Sequence, residues 1–195
     1  MAIDDPLTEY GKQQIEHLGH DWKDVHIDAI YSSTFQSAYY SALQIAKHNH
    51  DPTLEATKSP LLDDRRKGQA VINALLTGNS ESAATLYMRL KPGQNGATPR
   101  DYRPPGGGGE SPNAVAFRAK QGLIMLLKNY GKDLDAPPKD FLDKFVIDSP
   151  NILPEGIPHV VIVSHNIFLA ELYEAMFRWN STYHMTTCNY GNGGW

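Results

Sequence analysis

The segment HVVIVSH (159–165) constrains the fold of this 195-residue chain more than any other segment. Four apolar residues stand in a row, and such a run is typical of a strand that is buried on both faces in a parallel sheet. The run ends in the polar pair Ser164-His165, and a predicted helix over 166–179 follows at once. A buried strand that passes straight into a helix predicts an α/β protein with a mostly parallel sheet.

A second strand-helix unit lies near the beginning of the chain. IDAIYSS (27–33) predicts a short strand that ends in two serines, and a helix is predicted from Ser37 to His48. Four more helices are predicted, at 8–22, 69–77, 80–90 and 112–131, and one more strand is predicted at 185–190. We expect a single domain over 1–195, with an insertion at about 69–109 and a Pro/Asp-rich loop at about 132–158.

Charge and cysteine content narrow the class of protein. The formal net charge is −4, which argues against a chain that coats nucleic acid or an anionic membrane. Cys188 is the single cysteine, so no intrachain disulfide can form, and a reducing compartment is favoured. No run approaches the roughly 20 apolar residues of a membrane helix. We therefore expect a cytoplasmic protein.

The two predicted strand ends carry the first candidate functional residues. In open α/β sheets, ligands bind just beyond the carboxyl ends of the strands, where this chain has Ser32-Ser33 and Ser164-His165. The helix after each strand directs free N–H groups to the same place, which favours an anion such as phosphate. His165 would donate a hydrogen bond there or carry positive charge. The alternative is a merely polar residue at a strand end.

Three other polar patterns leave alternatives open. Residues 63–67 (DDRRK) are either a solvated loop or the source of a general acid, if the fold brings a carboxyl group to His165. Residues 106–109 are four glycines without the Gly-Lys-Ser/Thr of a phosphate-binding P-loop. The pairs His17/His20 and His48/His50 could each contact a metal, but no third ligand lies at a telling spacing, so surface histidines and no metal site are predicted.

Five segments, in order, resemble the histidine phosphatase superfamily in its phosphoglycerate-mutase-like branch. They are DDPLTEYGKQQIEHLG (4–19), IDAIYSSTFQSAYYSALQIA (27–46), LLDDRRKG (61–68), GGES (108–111) and VVIVSHN (160–166). One match alone is weak, but the ordered set spans most of the chain. The resemblance implies a three-layer α/β/α fold of the phosphoglycerate mutase type.

The resemblance also implies a mechanism. In the family, the histidine of an N-terminal Arg-His-Gly motif attacks the phosphoryl group and forms a phosphohistidine. Two arginines and a second histidine stabilise the developing charge, and a carboxylic acid protonates the leaving oxygen. Neither a metal nor an organic cofactor is needed. The implied ligand is a small phosphorylated metabolite or a phosphoprotein, not nucleic acid and not a membrane.

The family roles transfer to this chain one position at a time. His165 matches the second histidine, and Asp64 matches the acid, with aspartate in place of the usual glutamate. Glu110 matches a glutamate that we interpret as supporting rather than catalytic. The residues predicted to bind substrate or phosphate are Ser33, Ser37, Glu110 and Asn166.

Three departures from the family pattern stand out. Ser37 replaces an arginine, Asn166 replaces the usual glycine, and the sequence contains no Arg-His-Gly. Serine brings neither positive charge nor a bidentate fork. The family strand that ends in Arg-His-Gly is central in the sheet, so two parallel strands are expected to lack a partner here. We expect a fragment, an incomplete gene model or a degenerate family member.

These observations leave functions of different classes. The first is phosphomonoester hydrolysis or phosphoryl transfer, inactive or impaired in the chain as it stands, because the nucleophile and both phosphate-clamping arginines are not found. The second is a non-catalytic pseudophosphatase that acts as a binding or scaffold module. An unrelated α/β binding domain would require the five matches to be coincidental.

Overall fold

The computed structural model describes residues 7–89, 98–131 and 157–177. The elements in these ranges are α1 (Glu9–Asp21), β1 (Ala29–Ser32), α2 (Gln36–His48), β2 (Ala56–Lys58), a 3₁₀ turn (Pro60–Leu62), α3 (Gln69–Leu76), α4 (Ser80–Met88), α5 (Pro112–Tyr130), β3 (Val160–Val163) and α6 (Asn166–Phe177). Each predicted helix is present, with ends within two residues of the prediction. The predicted strand over 185–190 lies outside the described residues.

Local sequence signals explain where the long helices begin. The Thr8 hydroxyl accepts a hydrogen bond from the Gly11 N–H at 3.0 Å at the start of α1. The Ser111 hydroxyl accepts from the Ala114 N–H at 3.2 Å at the start of α5, and Pro112 follows as the first helical residue. Both arrangements satisfy N–H groups that have no partner inside the helix.

The sheet of the described residues has three strands in the order β2-β1-β3, all parallel. β1 pairs directly with β3, from Ala29 opposite Val160 to Ser32 opposite Val163. The expectation that the two apolar strands would each lack a partner is therefore wrong, because each satisfies backbone groups of the other. β2 was missed as a strand because its three residues are polar or half-exposed and carry no apolar pattern.

Helices cover both faces of this sheet. On one face, Ile30 of β1 packs in a cluster with Val25, Ile27, Ala42 and Ile45, which draws in parts of α1 and α2. On the other face, the buried side chains of Leu62, Val115, Ala119, Phe168 and Leu172 join α5 and α6 to Tyr31 and Ile162. Residues next to each other in β1 thus face opposite clusters, as the alternation of a strand requires. The predicted three-layer α/β/α arrangement is confirmed.

Candidate functional site

The carboxyl ends of β1 and β3 lie side by side at one edge of the sheet. Ser33 follows β1, and its N–H donates to the Val163 carbonyl at 2.9 Å. Ser164 and His165 follow β3. The Ser33 side chain is fully buried. The parallel register thus brings together the two strand ends at which the sequence predicts a ligand site.

A line of three side chains connects the two strand ends. His165 Nε2 is 3.2 Å from Ser33 Oγ, and Ser33 Oγ donates to Asp63 Oδ1 at 3.0 Å. Because an ionised carboxylate only accepts, the serine proton is committed to Asp63, and Ser33 Oγ accepts from the Nε2–H of His165. The rings of Phe35 and His165 meet at an angle of 61° with centroids 5.2 Å apart. These contacts fix the orientation and the tautomer of the imidazole.

The Asp63 carboxylate lies at the turn that leads into α2. In addition to the Ser33 bond, Asp63 Oδ1 accepts from the Thr34 N–H at 2.7 Å and from the Thr34 hydroxyl at 2.8 Å. Helix starts favour negative groups because their N–H groups lack partners within the helix. The sequence predicts an anion at this strand end, and in the structure a carboxylate of the chain itself lies there.

A cavity of about 430 Å³ adjoins this network. Its lining residues are Phe35, Asp63, Ile72 and the ranges 65–69 and 106–108. The Arg66 side chain is exposed and Lys67 is half-buried, so two positive charges face this region of the surface. A concave space of this size with adjacent cations favours a small anionic ligand.

Arg65, in contrast, is committed to the protein itself. Its Nε donates to the Glu110 carbonyl at 2.8 Å, and Nη2 donates to the Tyr102 carbonyl at 3.3 Å. Its guanidinium lies 4.6 Å from the centre of the Tyr87 ring. Burial lowers the pKa of Arg65, and burial raises the pKa of the Tyr87 hydroxyl. We interpret Arg65 as a group that holds the cavity wall together.

The glycine-rich loop forms one wall of the cavity rather than a phosphate cradle. Gly106, Gly107 and Gly108 all have positive φ, at 88°, 81° and 73°, which side-chain-bearing residues rarely adopt. A Cβ atom on Gly106 would lie 2.5 Å from the Ala70 nitrogen. The Gly107 carbonyl accepts from the Gln69 N–H at 3.1 Å. The first N–H groups of α3 are thus used by the loop.

The ion pair between Glu110 and Arg118 fixes the segment that carries Asp63. Arg118 Nη2 donates to Glu110 Oε2 at 2.8 Å, and both side chains are largely buried. Arg118 also donates to the backbone carbonyls of Leu61, Asp63 and Asp64. Glu110 thus contacts the candidate site through Arg118 and through the Arg66 N–H, which donates to Glu110 Oε2 at 3.1 Å; its supporting role stays a prediction.

The other predicted site residues lie nearby with different surroundings. Asp64 is half-buried, and its Oδ1 is buried without a hydrogen-bond partner in the described part of the chain. Ser37 lies in the first turn of α2, where its carbonyl accepts from the Ser41 hydroxyl at 2.9 Å. Asn166 is the exposed first residue of α6. The acid role of Asp64 and the phosphate-binding roles of these residues stay predictions.

Sequence reasoning named residues 63–67 as a source of a carboxyl group near His165 and assigned the role to Asp64, whereas the structure connects Asp63 to His165 through Ser33. The residue before Asp63 explains this position in the structure. Leu62 is fully buried, and an apolar residue that packs under a strand end brings the next side chain close to that end. A carboxylate in such a place requires hydrogen-bond donors, which Ser33 and Thr34 supply.

No helix within the described ranges combines the length and the apolar character needed to span a membrane. A family model, the histidine phosphatase superfamily (branch 1), matches residues 2–134. The chain is 29% identical over 175 residues to fructose-2,6-bisphosphatase TIGAR B from Danio rerio, which covers 87% of this chain and 63% of that protein. The chain thus spans less than two thirds of the length of this curated relative.

Two solved structures have a similar fold. Mycobacterial glucosyl-3-phosphoglycerate phosphatase in complex with inorganic phosphate matches with a TM-score of 0.57 and 20% identity, over 90% of this chain and 72% of that chain. A phosphoglycerate mutase from Bacillus anthracis str. Sterne matches with a TM-score of 0.54 and 17% identity, over 94% and 74%. These matches confirm the phosphoglycerate-mutase-like fold.

Proposed function

This chain belongs to the histidine phosphatase superfamily, branch 1. On that premise we propose that the strand ends at Ser33 and His165, with the cavity that adjoins them, bind the phosphoryl group of a small phosphorylated metabolite. The family chemistry that accompanies such binding is phosphomonoester hydrolysis or phosphoryl transfer through a phosphohistidine. We propose that this chemistry is impaired in the chain as it stands, because Ser37 replaces an arginine of the family pattern.

The observation that carries the proposal is the hydrogen-bonded line from His165 through Ser33 to Asp63. It holds an imidazole in one orientation at the place where parallel sheets bind their ligands. With Nε2–H committed to Ser33, a second proton on the ring makes His165 a cation. A phosphoryl oxygen is stabilised by such a group in a preorganised position.

The size of the cavity favours a metabolite over a phosphoprotein. A space of about 430 Å³ falls in the range of small-molecule sites. Arg66 and Lys67 at its wall offer positive charge to a phosphate or carboxylate elsewhere on the ligand. The relatives are consistent with this class, since one is a fructose-2,6-bisphosphatase and another is a glucosyl-3-phosphoglycerate phosphatase.

The test is the binding of inorganic phosphate and of a panel of phosphorylated sugars, measured by calorimetry with the full chain. We expect His165→Ala to weaken phosphate binding at least tenfold, about 1.4 kcal/mol. His159→Ala is the matched control, because His159 lies at the opposite end of β3 and its ring contacts His26. Equal affinities for the two variants would refute the phosphate site.

A specific observation also favours the second function, a non-catalytic binding module. In the turn that leads into α2, the N–H and the hydroxyl of Thr34 are engaged by Asp63, and Ser37 brings no charge to that helix. Phosphate release separates the two functions. If the chain releases phosphate and His165→Ala abolishes this release, the chain is an enzyme. If the chain binds phosphate but neither it nor Ser37→Arg releases any from a phosphorylated sugar, the chain is a binding module. If the chain is an enzyme, Ser37→Arg is expected to raise the rate about 100-fold or more.

A further inference from the structure

Two histidines and a glutamate meet on the surface between α1 and α2, away from the candidate phosphate site. Glu16 and His20 are four residues apart on α1, so they share one face of that helix. His48 is the last residue of α2. Since α2 begins beside the strand ends and has 13 residues, His48 lies about 18 Å along the helix axis from that site.

The ligand atoms of these three residues all lie within 4.8 Å of one another. The rings of His20 and His48 are 4.1 Å apart between centroids, with planes tilted by 46°. Sequence reasoning considered His17 with His20 and His48 with His50, and it found no third ligand. The fold instead joins one histidine from each pair and adds Glu16.

His48 supplies an observation that is independent of this clustering. Its Nε2 atom is buried, and it has no hydrogen-bond partner in the described part of the chain. A buried ring nitrogen without a partner is unfavourable, so His48 is a residue that gains by binding a ligand. Gly19 makes this placement possible, because a Cβ atom there would lie 2.8 Å from His48 Cδ2. The close approach of the two helices therefore sets the His48 ring against α1.

We propose that Glu16, His20 and His48 form a zinc site that ties the ends of α1 and α2 together. Two imidazole nitrogens and one carboxylate oxygen are a ligand set that Zn²⁺ accepts, with a water in the fourth position. Ligand atoms in tetrahedral zinc sites are about 3.3 Å apart for bonds of about 2.05 Å. Glu16 and His20 are exposed, so their side chains close the remaining distance by rotating at the surface.

The test uses the untagged full chain and Zn²⁺ itself, titrated in competition with a chromophoric chelator. We expect one zinc ion per chain and a rise in the midpoint of thermal unfolding when zinc is added. His48→Ala is expected to weaken zinc binding at least tenfold, which corresponds to 1.4 kcal/mol, and to remove the zinc-dependent rise. Glu16→Gln changes an exposed residue, so it tests the same site without a risk to folding, and it is expected to weaken binding as well.

His17→Ala is the matched control, because His17 is exposed on α1 but outside the cluster. It is expected to keep the zinc affinity of the unchanged chain. Equal affinity in His48→Ala and His17→Ala, or an unchanged thermal midpoint in the presence of zinc, would overturn the proposal. Neither result bears on phosphate binding, which depends on other residues.

Discussion

At the scale of the residue, two adjacent carboxylates show how strongly position decides the role of a side chain. Asp63 Oδ1 accepts hydrogen bonds from Ser33 and from both the N–H and the hydroxyl of Thr34. Asp64, one residue further on, has a buried Oδ1 without a partner among the described residues. The family pattern points to Asp64, whereas the hydrogen bonds of the structure converge on Asp63.

We expect Asp63→Ala and Asp64→Ala to differ in their effect on stability. Asp63→Ala leaves buried donors without an acceptor and should lower the free energy of unfolding by about 2–3 kcal/mol. Asp64→Ala removes an oxygen that has no partner and should change it by no more than about 0.5 kcal/mol. Urea denaturation of the two variants measures both values. Equal losses would mean that the contacts of Asp63 contribute nothing beyond those of its neighbour.

At the scale of the element, two helical glycines lie in different packing environments: one allows two helices to approach closely, and the other has ordinary contacts. A Cβ atom on Gly19 of α1 would lie 2.7 Å from the Gln44 carbonyl oxygen of α2. A Cβ atom on Gly122 of α5 would lie 3.6 Å from a methyl carbon of Leu62. The first distance is a clash with backbone that cannot give way, and the second is a normal contact.

Alanine at these two glycines should therefore change stability in opposite directions. Gly19→Ala forces α1 and α2 apart and is expected to lower the free energy of unfolding by about 1–3 kcal/mol. Gly122→Ala gains helix propensity without strain and is expected to raise it by about 0.5–1 kcal/mol. Thermal and urea unfolding of both variants measure these changes in the free energy of unfolding. A stabilised Gly19→Ala would show that the two helices can separate freely.

The helices could be predicted from the sequence because their signals are local. The strand β2 and the position of Asp63 could not, because both depend on contacts with distant parts of the chain. Periodic apolar residues and caps such as Ser111-Pro112 act locally, so they are visible in the chain itself. β2 forms only because β1 offers a partner, and its three residues carry no pattern of their own. The candidate site shows the same difference. The positions of Ser33 and His165 could be predicted because each follows a predicted strand, whereas the position of Asp63 depends on the tertiary packing of Leu62 beneath it.

At the scale of the whole molecule, the middle strand of the described sheet is connected to the end of the longest described helix. The hydroxyl groups of Tyr31 in β1 and Tyr130 in α5 are 3.1 Å apart, and their rings meet at an angle of 72°. This hydrogen bond, followed by desolvation, raises the pKa of Tyr130 to about 12. The contact therefore links global stability to alkaline pH.

The sign of this linkage follows from the raised pKa. Below about pH 10, the pKa of an unperturbed tyrosine, the hydroxyl is protonated in both states and the contribution to stability is complete. Between pH 10 and about 12, the unfolded state ionises first, so the contribution is lost as the pH rises.

We therefore expect the stability difference between the unchanged chain and Tyr130→Phe to be constant below pH 10 and to shrink toward pH 12. Urea denaturation at a series of pH values measures it. Tyr31→Phe removes the same hydrogen bond from the other side and should give the same trend. A difference that stays constant up to pH 12 would contradict the role of this contact.

The direct pairing of β1 with β3 has a consequence for the order in which the chain assembles. Ser33 and His165 are 132 positions apart, so their contact closes a long loop and forms late among the contacts of the molecule. During synthesis at roughly 5–20 residues per second, His165 emerges about 5–20 s after Asp63. Over that interval the nascent chain carries Ser33 and Asp63 without the histidine that completes their hydrogen-bonded line.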